Sequence, residues 1–316
     1  MNETIVAAPA GPICSFPAAA AEHTSTAVTI PRAQAFCLVT GASRGLGLAL
    51  AEECARLGMN LILVALADTG LPEVSHNLAQ RYGTDVKYRE IDLSEPESPD
   101  TLYHWVREQR LAVNMLINNA GIGAHGPFSE SVPAHNRTMI DLNISALVHL
   151  TQLFLLELKR QPQAYILNVA SLAAFYAMPY KPVYAPTKAF VLNFSLALRA
   201  ELAGTTVMVS ALCPGGILTN EECRKLIAAQ GFIGRISCHH PEEVARYALG
   251  QLLRNRAVII PGLINKLARI MGAVVPLPLT QLFIRARFHS ACGKRPVADR
   301  TPVPLAGTHP MEIQHE

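Results

Sequence analysis

The sequence predicts an α/β fold with a mainly parallel, seven-stranded sheet that is covered by helices on both faces. Two observations predict it: short runs of apolar and β-branched residues recur along the chain, and longer stretches with helical spacing separate them. Strands that are apolar throughout are typical of parallel sheets buried on both sides, and the connections are long enough for right-handed crossovers. The predicted strands are 35–40, 60–65, 86–91, 112–117, 164–169, 206–212 and 257–260.

The α/β pattern occupies the middle of the 316-residue chain. Residues 1–33 are rich in Ala, Pro, Ser and Thr, and their single Arg fits neither a secretory signal nor a transit peptide, so we expect a disordered extension. Residues 34–262 carry the predicted sheet and its helices. We expect an apolar helical extension at 263–290 and a flexible, Pro-rich tail at 291–316.

Composition argues against several classes of protein. Half of the residues are hydrophobic and the net charge is +3, without a run of Lys or Arg, so we expect no nucleic-acid partner. The seven cysteines form no C-x-x-C pair, which indicates reduced thiols of a cytoplasmic protein and no metal site. Charges or helix breakers interrupt every apolar stretch long enough to cross a bilayer, so we expect no spanning helix.

A glycine-rich turn, Thr40-Gly-Ala-Ser-Arg-Gly-Leu-Gly47, follows the first strand and opens a helix. Glycines allow a sharp turn and a close approach of the backbone to a pyrophosphate, and the helix N-terminus then holds the phosphates. An ordinary strand-to-helix turn is the alternative. The strand–turn–helix context favours a dinucleotide site on a Rossmann-type, doubly wound sheet. Such sheets bind ligands beyond the carboxyl ends of their strands.

Two further motifs fall at predicted strand ends. Asn118-Asn-Ala-Gly121 follows the fourth strand, where small residues let a cofactor lie against the strand end, or where they simply make a turn. Tyr184 and Lys188 are four residues apart, which puts both on one helix face. A nearby ammonium stabilises a phenolate and so suits a tyrosine to proton transfer. Pro186 is tolerated only in a first helical turn, so Tyr184 lies at the helix start, and Ser171 follows the fifth strand.

With these motifs the chain resembles the short-chain dehydrogenases/reductases, in their single-domain branch. The resemblance covers residues 34–262 and extends to Asn143, in the helix after the fourth strand, and to Pro214-Gly-Gly-Ile-Leu-Thr219, after the sixth. It implies an oxidoreductase that interconverts a carbonyl and an alcohol with a nicotinamide cofactor. Asn118-Asn-Ala-Gly121, Ser171 and Tyr184 stand in the family's order along the chain.

The resemblance assigns four catalytic residues. Tyr184 would be the general acid or base, Ser171 would polarise the substrate oxygen, Lys188 would hold the nicotinamide ribose, and Asn143 would hold a water in the proton relay. Asn143 could equally be a satisfied core amide, and Asp92, expected near adenine, could be a turn residue. The cofactor-binding residues implied are Gly41, Ser43, Arg44, Gly45, Leu46, Gly47, Asp92, Leu93, Asn119, Ala120, Gly121, Tyr184, Lys188, Pro214, Gly215 and Thr219.

The end of the second strand bears on the choice of cofactor. Enzymes of this fold that use NAD generally place an acid there, on the ribose 2′-hydroxyl. Leu66 occupies that position, Asp68 follows two residues later, and Arg44 in the glycine turn suits a 2′-phosphate. We therefore expect NADP(H) rather than NAD(H), although a shifted register would bring Asp68 into play and reverse the preference.

Apolar residues after Ser171 and after Pro214 favour a hydrophobic substrate, such as a ketoacyl chain, a ketone or a steroid-like compound. A catalytically silent sensor or scaffold is the alternative, disfavoured because all four catalytic residues are present. A nucleotide-sugar epimerase would need a different glycine spacing and a larger C-terminal domain.

Partner contacts are expected at two places. The family usually pairs through the helices after the fourth and fifth strands, so we expect a homodimer or homotetramer. Residues 264–288 are apolar with interspersed Lys and Arg, and we favour lid or subunit packing over peripheral membrane contact because Pro276 and Pro278 interrupt them. His239-His-Pro-Glu-Glu243 is typical of a helix start rather than of a metal pair.

Overall fold

In the computed structural model of this protein, residues 35–124, 126–218, 238–275, 278–280, 282 and 284 are described. Seven strands form one sheet within these residues. Three of them have the bounds that the apolar runs predict, and the other four differ by one or two residues at their ends. The strands are β1 (Ala35–Thr40), β2 (Asn60–Ala65), β3 (Val86–Glu90), β4 (Ala112–Asn118), β5 (Ala164–Val169), β6 (Val207–Leu212) and β7 (Val258–Ile259).

The strand order is β3-β2-β1-β4-β5-β6-β7, and every neighbouring pair is parallel. This confirms the predicted doubly wound sheet, which is wholly rather than mainly parallel in the described residues. The chain leaves β1 toward β2 and returns to β4 on the other side of β1, so the order reverses between β1 and β4. A crevice opens at such a reversal, beyond the carboxyl ends of the strands.

Helices cover both faces of the sheet. On one face α1 packs against α2 and α7, and on the other α3 packs against α5, while α6 packs on β5 and β6. A short π-helical segment, Asp141–Ala146, joins α4 to α5. The helices are α1 (Gly45–Arg56), α2 (Leu71–Tyr82), α3 (Ser98–Glu108), α4 (Pro133–Ile140), α5 (Leu147–Arg160), α6 (Tyr184–Glu201), α7 (Pro241–Leu253) and α8 (Leu263–Val274).

The core lies between the sheet and the helices. Leu38 and Ile62, from neighbouring strands, and Phe154, from α5, are fully buried in one cluster. The continuous stretch Pro133–Arg160 is long and apolar enough to cross a membrane by length and composition alone. A core helix passes the same test, and here Phe154 packs this stretch against the sheet.

Local residues explain where several helices begin. The helical stretch between β4 and β5 begins at Pro133, because proline is favoured in a first helical turn. Pro241 and two acids likewise begin α7, as the sequence predicts, and Tyr184 is the first residue of α6. The expected extension at 1–33 and tail at 291–316 lie outside the described residues, as do Thr219 and most of the segment after Pro214.

Candidate active site

The glycine turn is fastened to the end of β4 by the buried Thr40 and by Asn119. The Thr40 hydroxyl accepts hydrogen bonds from the backbone N–H groups of Asn119 and Ala120, at 3.0 and 2.9 Å. The Asn119 carboxamide in turn donates to the carbonyls of Thr40 and Gly41, at 2.9 and 3.3 Å. The Asn119 side chain, which the resemblance assigns to cofactor binding, therefore holds the turn in shape. Thr40 is the first residue of the glycine-rich motif, and its structural role in holding this turn is not apparent from the motif alone.

Backbone geometry explains the glycines of this turn. Gly41 has φ +67°, which side chains rarely adopt. A Cβ on Gly47 would lie 1.9 Å from the Gly41 carbonyl oxygen and 2.5 Å from the Asn119 amide nitrogen, so no larger residue fits. The turn opens α1 with free N–H groups at the helix end, and such an end binds phosphates. Arg44 occupies the N-cap position of α1 and is exposed beside it.

Asn143, Gly121 and Lys188 meet below the end of β4. The buried Asn143 amide donates to the Ile122 carbonyl at 2.9 Å and to the Thr187 hydroxyl at 3.0 Å, and its oxygen accepts from the Ile122 N–H at 2.9 Å. A Cβ on Gly121 would lie 2.8 Å from the Asn143 oxygen and 3.2 Å from Lys188 Nζ. Asn143 is thus both a satisfied core amide and a neighbour of the Lys188 ammonium, with one lone pair of its oxygen left to accept.

Lys188 is a buried cation. Its side chain is 6% exposed, and its Nζ donates to the Val169 carbonyl at the end of β5, at 2.8 Å. Burial lowers the pKa of Lys188 from 10.5 to about 8, with an opposing contribution from the neighbouring Cys213. This is the only hydrogen bond of Nζ among the described residues, so two of its three protons remain to bind a ligand.

Tyr184 lies one helical turn before Lys188, at the first position of α6. Its ring covers Gly123, where an added Cβ would lie 3.2 Å from the ring. The Lys181 ammonium lies 5.5 Å from the ring centroid, on a residue that the motif reading did not single out. Pro186, at the third position of α6, occupies the first turn as predicted.

Ser171 stands between β5 and a short 3-10 turn, Leu172–Phe175, which it caps. Its hydroxyl accepts from the Ala173 N–H at 3.1 Å, and it remains able to donate a hydrogen bond. The Leu172 N–H donates to the carbonyl of Pro214 at 2.8 Å, so the segments that follow β5 and β6 are joined. Ser171, Lys188 and Pro214 therefore gather at neighbouring strand ends, where the sheet topology places ligands.

The sequence profile of the short chain dehydrogenase family matches residues 35–226. The chain belongs to this family. It is 34% identical over 179 residues to the uncharacterized oxidoreductase DltE of Bacillus subtilis, a match that covers 56% of this chain and 69% of DltE. It is 32% identical over 195 residues to the very-long-chain 3-oxoacyl-CoA reductase of Anas platyrhynchos, covering 60% of this chain and 62% of that enzyme. The chain thus spans less than two thirds of that reductase's length.

Two solved structures share the fold of this chain. The short-chain dehydrogenase from Sphingobium yanoikuyae, in complex with NADPH, superposes with a TM-score of 0.64 at 28% identity, covering 76% of this chain and 93% of that one. A 7beta-hydroxysteroid dehydrogenase shares the fold, with a TM-score of 0.72 at 23% identity and coverage of 79% and 96%. The protein is a dehydrogenase/reductase that acts on CH–OH groups with a nicotinamide dinucleotide, the cofactor type of the short-chain family.

Some of the cofactor-binding residues that the resemblance implies do not point their side chains toward the site. Leu46 and Leu93 are 7% and 5% exposed and face the core, so a ligand could meet only their backbone. Asp92 is exposed and accepts hydrogen bonds from the N–H and hydroxyl of Ser94, which makes it a turn residue whatever else it contacts. Ser43, Gly45, Ala120 and Gly215 lie along the same strand ends, and Thr219 is outside the described residues.

A chain of buried polar side chains lies under the site, and of its members only Asn118 belongs to a motif that the sequence shows. The Asn118 amide, on β4, donates to Thr151 on α5 at 3.0 Å and to Asn168 on β5 at 2.9 Å. Asn168 donates in turn to Ser195 on α6 at 3.0 Å. These hydrogen bonds tie α5 and α6 together through the sheet. A signal existed in the sequence for Asn168, which is a polar residue inside an otherwise apolar predicted strand, whereas Asn118 directly follows the predicted fourth strand.

The histidine pair before α7 and the cysteine beside Lys188 are two further features of the sequence. His240 is the N-cap of α7, and His239 lies 3.9 Å from Glu243, so this segment is the helix start that the sequence predicts. No group of three candidate metal ligands gathers within the part of the chain that the structure describes. The buried Cys213 lies near Lys188, and burial raises its pKa to about 12, so it is an inert neighbour.

Proposed function

We propose that this dehydrogenase reduces the carbonyl of a hydrophobic substrate with NADPH, and runs the reverse oxidation, with Tyr184 as the general acid or base. The observation that carries the proposal is the buried Lys188 ammonium, held by the Val169 carbonyl one turn from Tyr184 with protons left for a ligand. A cation at this place stabilises a phenolate and can hold the hydroxyls of a ribose.

The proton steps follow from the arrangement of the side chains. Tyr184 donates its phenolic proton to the substrate oxygen as that oxygen becomes an alkoxide, and Ser171 donates a hydrogen bond to the same oxygen. The Lys188 ammonium stabilises the phenolate that remains. Asn143 accepts a hydrogen bond, through the lone pair that Ile122 leaves free, from a water that returns a proton toward the site. The bound nicotinamide would supply the hydride.

We propose NADP(H) as the cofactor on the charges around the glycine turn. Leu66, the first residue beyond β2, is uncharged and 37% exposed, so no carboxylate stands where an NAD enzyme binds the 2′-hydroxyl. Asp68 lies two residues further, in a left-handed conformation with φ 58°. Arg44 is exposed at the N-terminus of α1, where a guanidinium suits a phosphate. The NADPH complex of the Sphingobium yanoikuyae enzyme supports the same choice.

The cofactor proposal is tested by exchanging these charges. Arg44→Ala should raise KM for NADPH about tenfold or more and leave KM for NADH little changed, because a lost charge-assisted hydrogen bond is worth at least about 1.5 kcal/mol. Leu66→Asp should shift the preference toward NADH. Equal losses for both cofactors in Arg44→Ala would contradict the assignment of a 2′-phosphate to Arg44.

For the substrate we propose a ketoacyl thioester or another bulky hydrophobic ketone. Two relatives support this class by name, the very-long-chain 3-oxoacyl-CoA reductase of Anas platyrhynchos and the 3-oxoacyl-[acyl-carrier-protein] reductase FabG of Aquifex aeolicus. Met178 and Tyr180 add half-buried apolar surface between Ser171 and Tyr184. A series of 3-oxoacyl thioesters of rising chain length, followed by NADPH absorbance, should show kcat/KM rising with chain length, and polar ketoses serve as the comparison.

The mechanism is tested with Tyr184→Phe. Loss of the phenolic hydroxyl should reduce kcat by at least about a hundredfold, the usual size of general acid catalysis, while NADPH affinity stays within a few-fold. Fluorescence titration with NADPH gives the affinity. Undiminished turnover in Tyr184→Phe would overturn the role of Tyr184, and NADPH binding without turnover in the wild type would make the protein a sensor.

We also propose that the chain forms a homodimer through α5 and α6. Large apolar side chains stay exposed on these helices: Leu156 is 67% exposed, and Phe190, stacked on Phe194 at 6.1 Å, is 42% exposed. Light scattering after size exclusion should show a dimer that Leu156→Asp dissociates. A tetramer would place a second interface elsewhere, and a monomeric wild type would contradict the proposal.

A further inference from the structure

One face of α8 is apolar and exposed. Six aliphatic residues lie on an arc of about 120° of the helix, since successive residues advance by 100°. Asn265 and Ala268, on the opposite side, face the protein. We call the six residues the α8 stripe, and their exposed fractions are 81% for Leu263, 39% for Ile264, 59% for Leu267, 58% for Ile270, 53% for Met271 and 76% for Val274.

The α8 stripe is a larger and more continuous apolar patch than the surface of a soluble domain ordinarily exposes. Single exposed aliphatic residues are common, whereas contiguous apolar patches mark contact sites. Leu279 and Leu282, further along the chain, are 58% and 66% exposed as well. The sequence favoured lid or subunit packing for this segment, but the described residues leave the stripe uncovered.

Charge around the stripe identifies the partner. Lys266 lies beside the edge of the stripe that Ile270 forms, with its ammonium 5.4 Å from the ring centroid of Tyr247. Arg269 lies further round the helix on the same side, over the Phe175 ring at 5.2 Å. Between Glu243 and Asp299 the chain has no acidic residue. The basic residues from 263 to 298 are Lys266, Arg269, Arg285, Arg287, Lys294 and Arg295.

A second copy of this chain fits the stripe poorly. A twofold interface brings the same patch of both copies together, and here it would oppose Lys266 and Arg269 to their own counterparts with no acid in the segment to pair with them. A surface with negative headgroups and an apolar interior complements both the stripe and its flanks. We propose that α8 docks on an anionic lipid surface, with the stripe inserted at the boundary between headgroups and acyl chains.

Docking by α8 would bring the segment that follows Ser171 close to the lipid. The Tyr176 hydroxyl donates to the Ala268 carbonyl at 2.5 Å, and Gly272 lies against the Tyr176 ring, so α8 packs on the segment that begins at Ser171. Long-chain acyl substrates partition into membranes, and a docked enzyme would meet them there. This consequence rests on the proposed function, whereas docking itself does not.

The test is co-sedimentation of the full chain with sucrose-loaded vesicles. Wild type should bind vesicles of phosphatidylcholine mixed with phosphatidylglycerol at least about tenfold more strongly than vesicles of phosphatidylcholine alone, and added salt should weaken the binding. Lys266→Gln and Arg269→Gln should each weaken it about fivefold. The double variant Leu267→Asp/Ile270→Asp should lose it, while Tyr88→Asp, on an exposed residue of the edge strand β3, should bind like wild type.

Circular dichroism and turnover of a small soluble ketone check that the stripe variant is folded and active, so a failure of docking is distinguishable from a failure of the proposed reaction. Wild type that stays in the supernatant at low salt, or a stripe variant that sediments like wild type, overturns the proposal. Absent vesicle binding together with an oligomer that the stripe variant dissociates would assign the stripe to a second copy.

Discussion

Lys188→Met removes a buried charge and keeps a side chain of similar length. A pKa lowered from 10.5 to about 8 means that folding with the charged form costs about 3 kcal/mol at neutral pH. The sign follows from proton binding: the folded state binds the proton less tightly than the unfolded state. The penalty is therefore fully present below about pH 8, declines as the pH rises toward 10.5, and vanishes above it.

The variant has no such penalty, so the difference between the two proteins depends on pH. The free energy of unfolding of wild type, relative to Lys188→Met, should rise by about 2 kcal/mol between about pH 7 and about pH 9.5. Val169 loses its hydrogen-bond partner in the variant at every pH. This loss therefore adds a constant to the difference in free energy of unfolding between the two proteins. All other titrating groups are shared and cancel in the difference.

Urea unfolding followed by the fluorescence of Trp105, the single tryptophan, gives both free energies. Lys159→Met, at an exposed lysine of α5, serves as the control and should show a much smaller dependence on pH. A difference between wild type and Lys188→Met that stays constant from pH 7 to pH 9.5 would refute the description of Lys188 as a desolvated ammonium. Turnover should be lost in the variant in either case.

Three other predictions concern packing and accessibility. Alkylation at about pH 8, mapped by mass spectrometry, should spare Cys213, whose raised pKa of about 12 leaves about one thiolate in ten thousand. Among the cysteines that the structure describes, the half-buried Cys238 should be labelled before the buried Cys37, Cys54 and Cys213, and rapid labelling of Cys213 would contradict its burial. Gly47→Ala should abolish NADPH binding and lower Tm, whereas Gly83→Ala, where an added Cβ meets nothing within 4 Å, should retain binding and lose only about 1 kcal/mol. Phe154→Ala should lower the free energy of unfolding by about 3–5 kcal/mol in urea titrations, and a smaller loss would indicate that the core relaxes around the cavity.

Much of the fold could be predicted because the strands are apolar along their whole length. The bounds of β1, β2 and β5 equal those of the predicted runs. Pro186 placed Tyr184 at a helix start for a local steric reason, and α6 begins at Tyr184. Features of this kind depend only on a few consecutive residues, so the sequence is enough to predict them.

Other features depend on residues far apart in the chain. Thr40 and Asn119 clamp the glycine turn across 79 positions of sequence, and Asn118 meets Asn168 across 50. The spacing of apolar residues continues unchanged through the segment around Asn143. It therefore does not predict that this segment is π-helical. A motif names such residues, but it does not say which group each one touches.

The sequence by itself determined the order of the strands and helices along the chain and the family. It also determined that Tyr184 lies at a helix start and that Ser171 follows a strand. Only the tertiary structure decided that the Lys188 ammonium is desolvated against Val169, that Asn119 holds the turn, and that the α8 stripe faces outward. The physical reason is that desolvation and exposure depend on what packs against a side chain. Those neighbours come from distant parts of the chain, and no local pattern contains them.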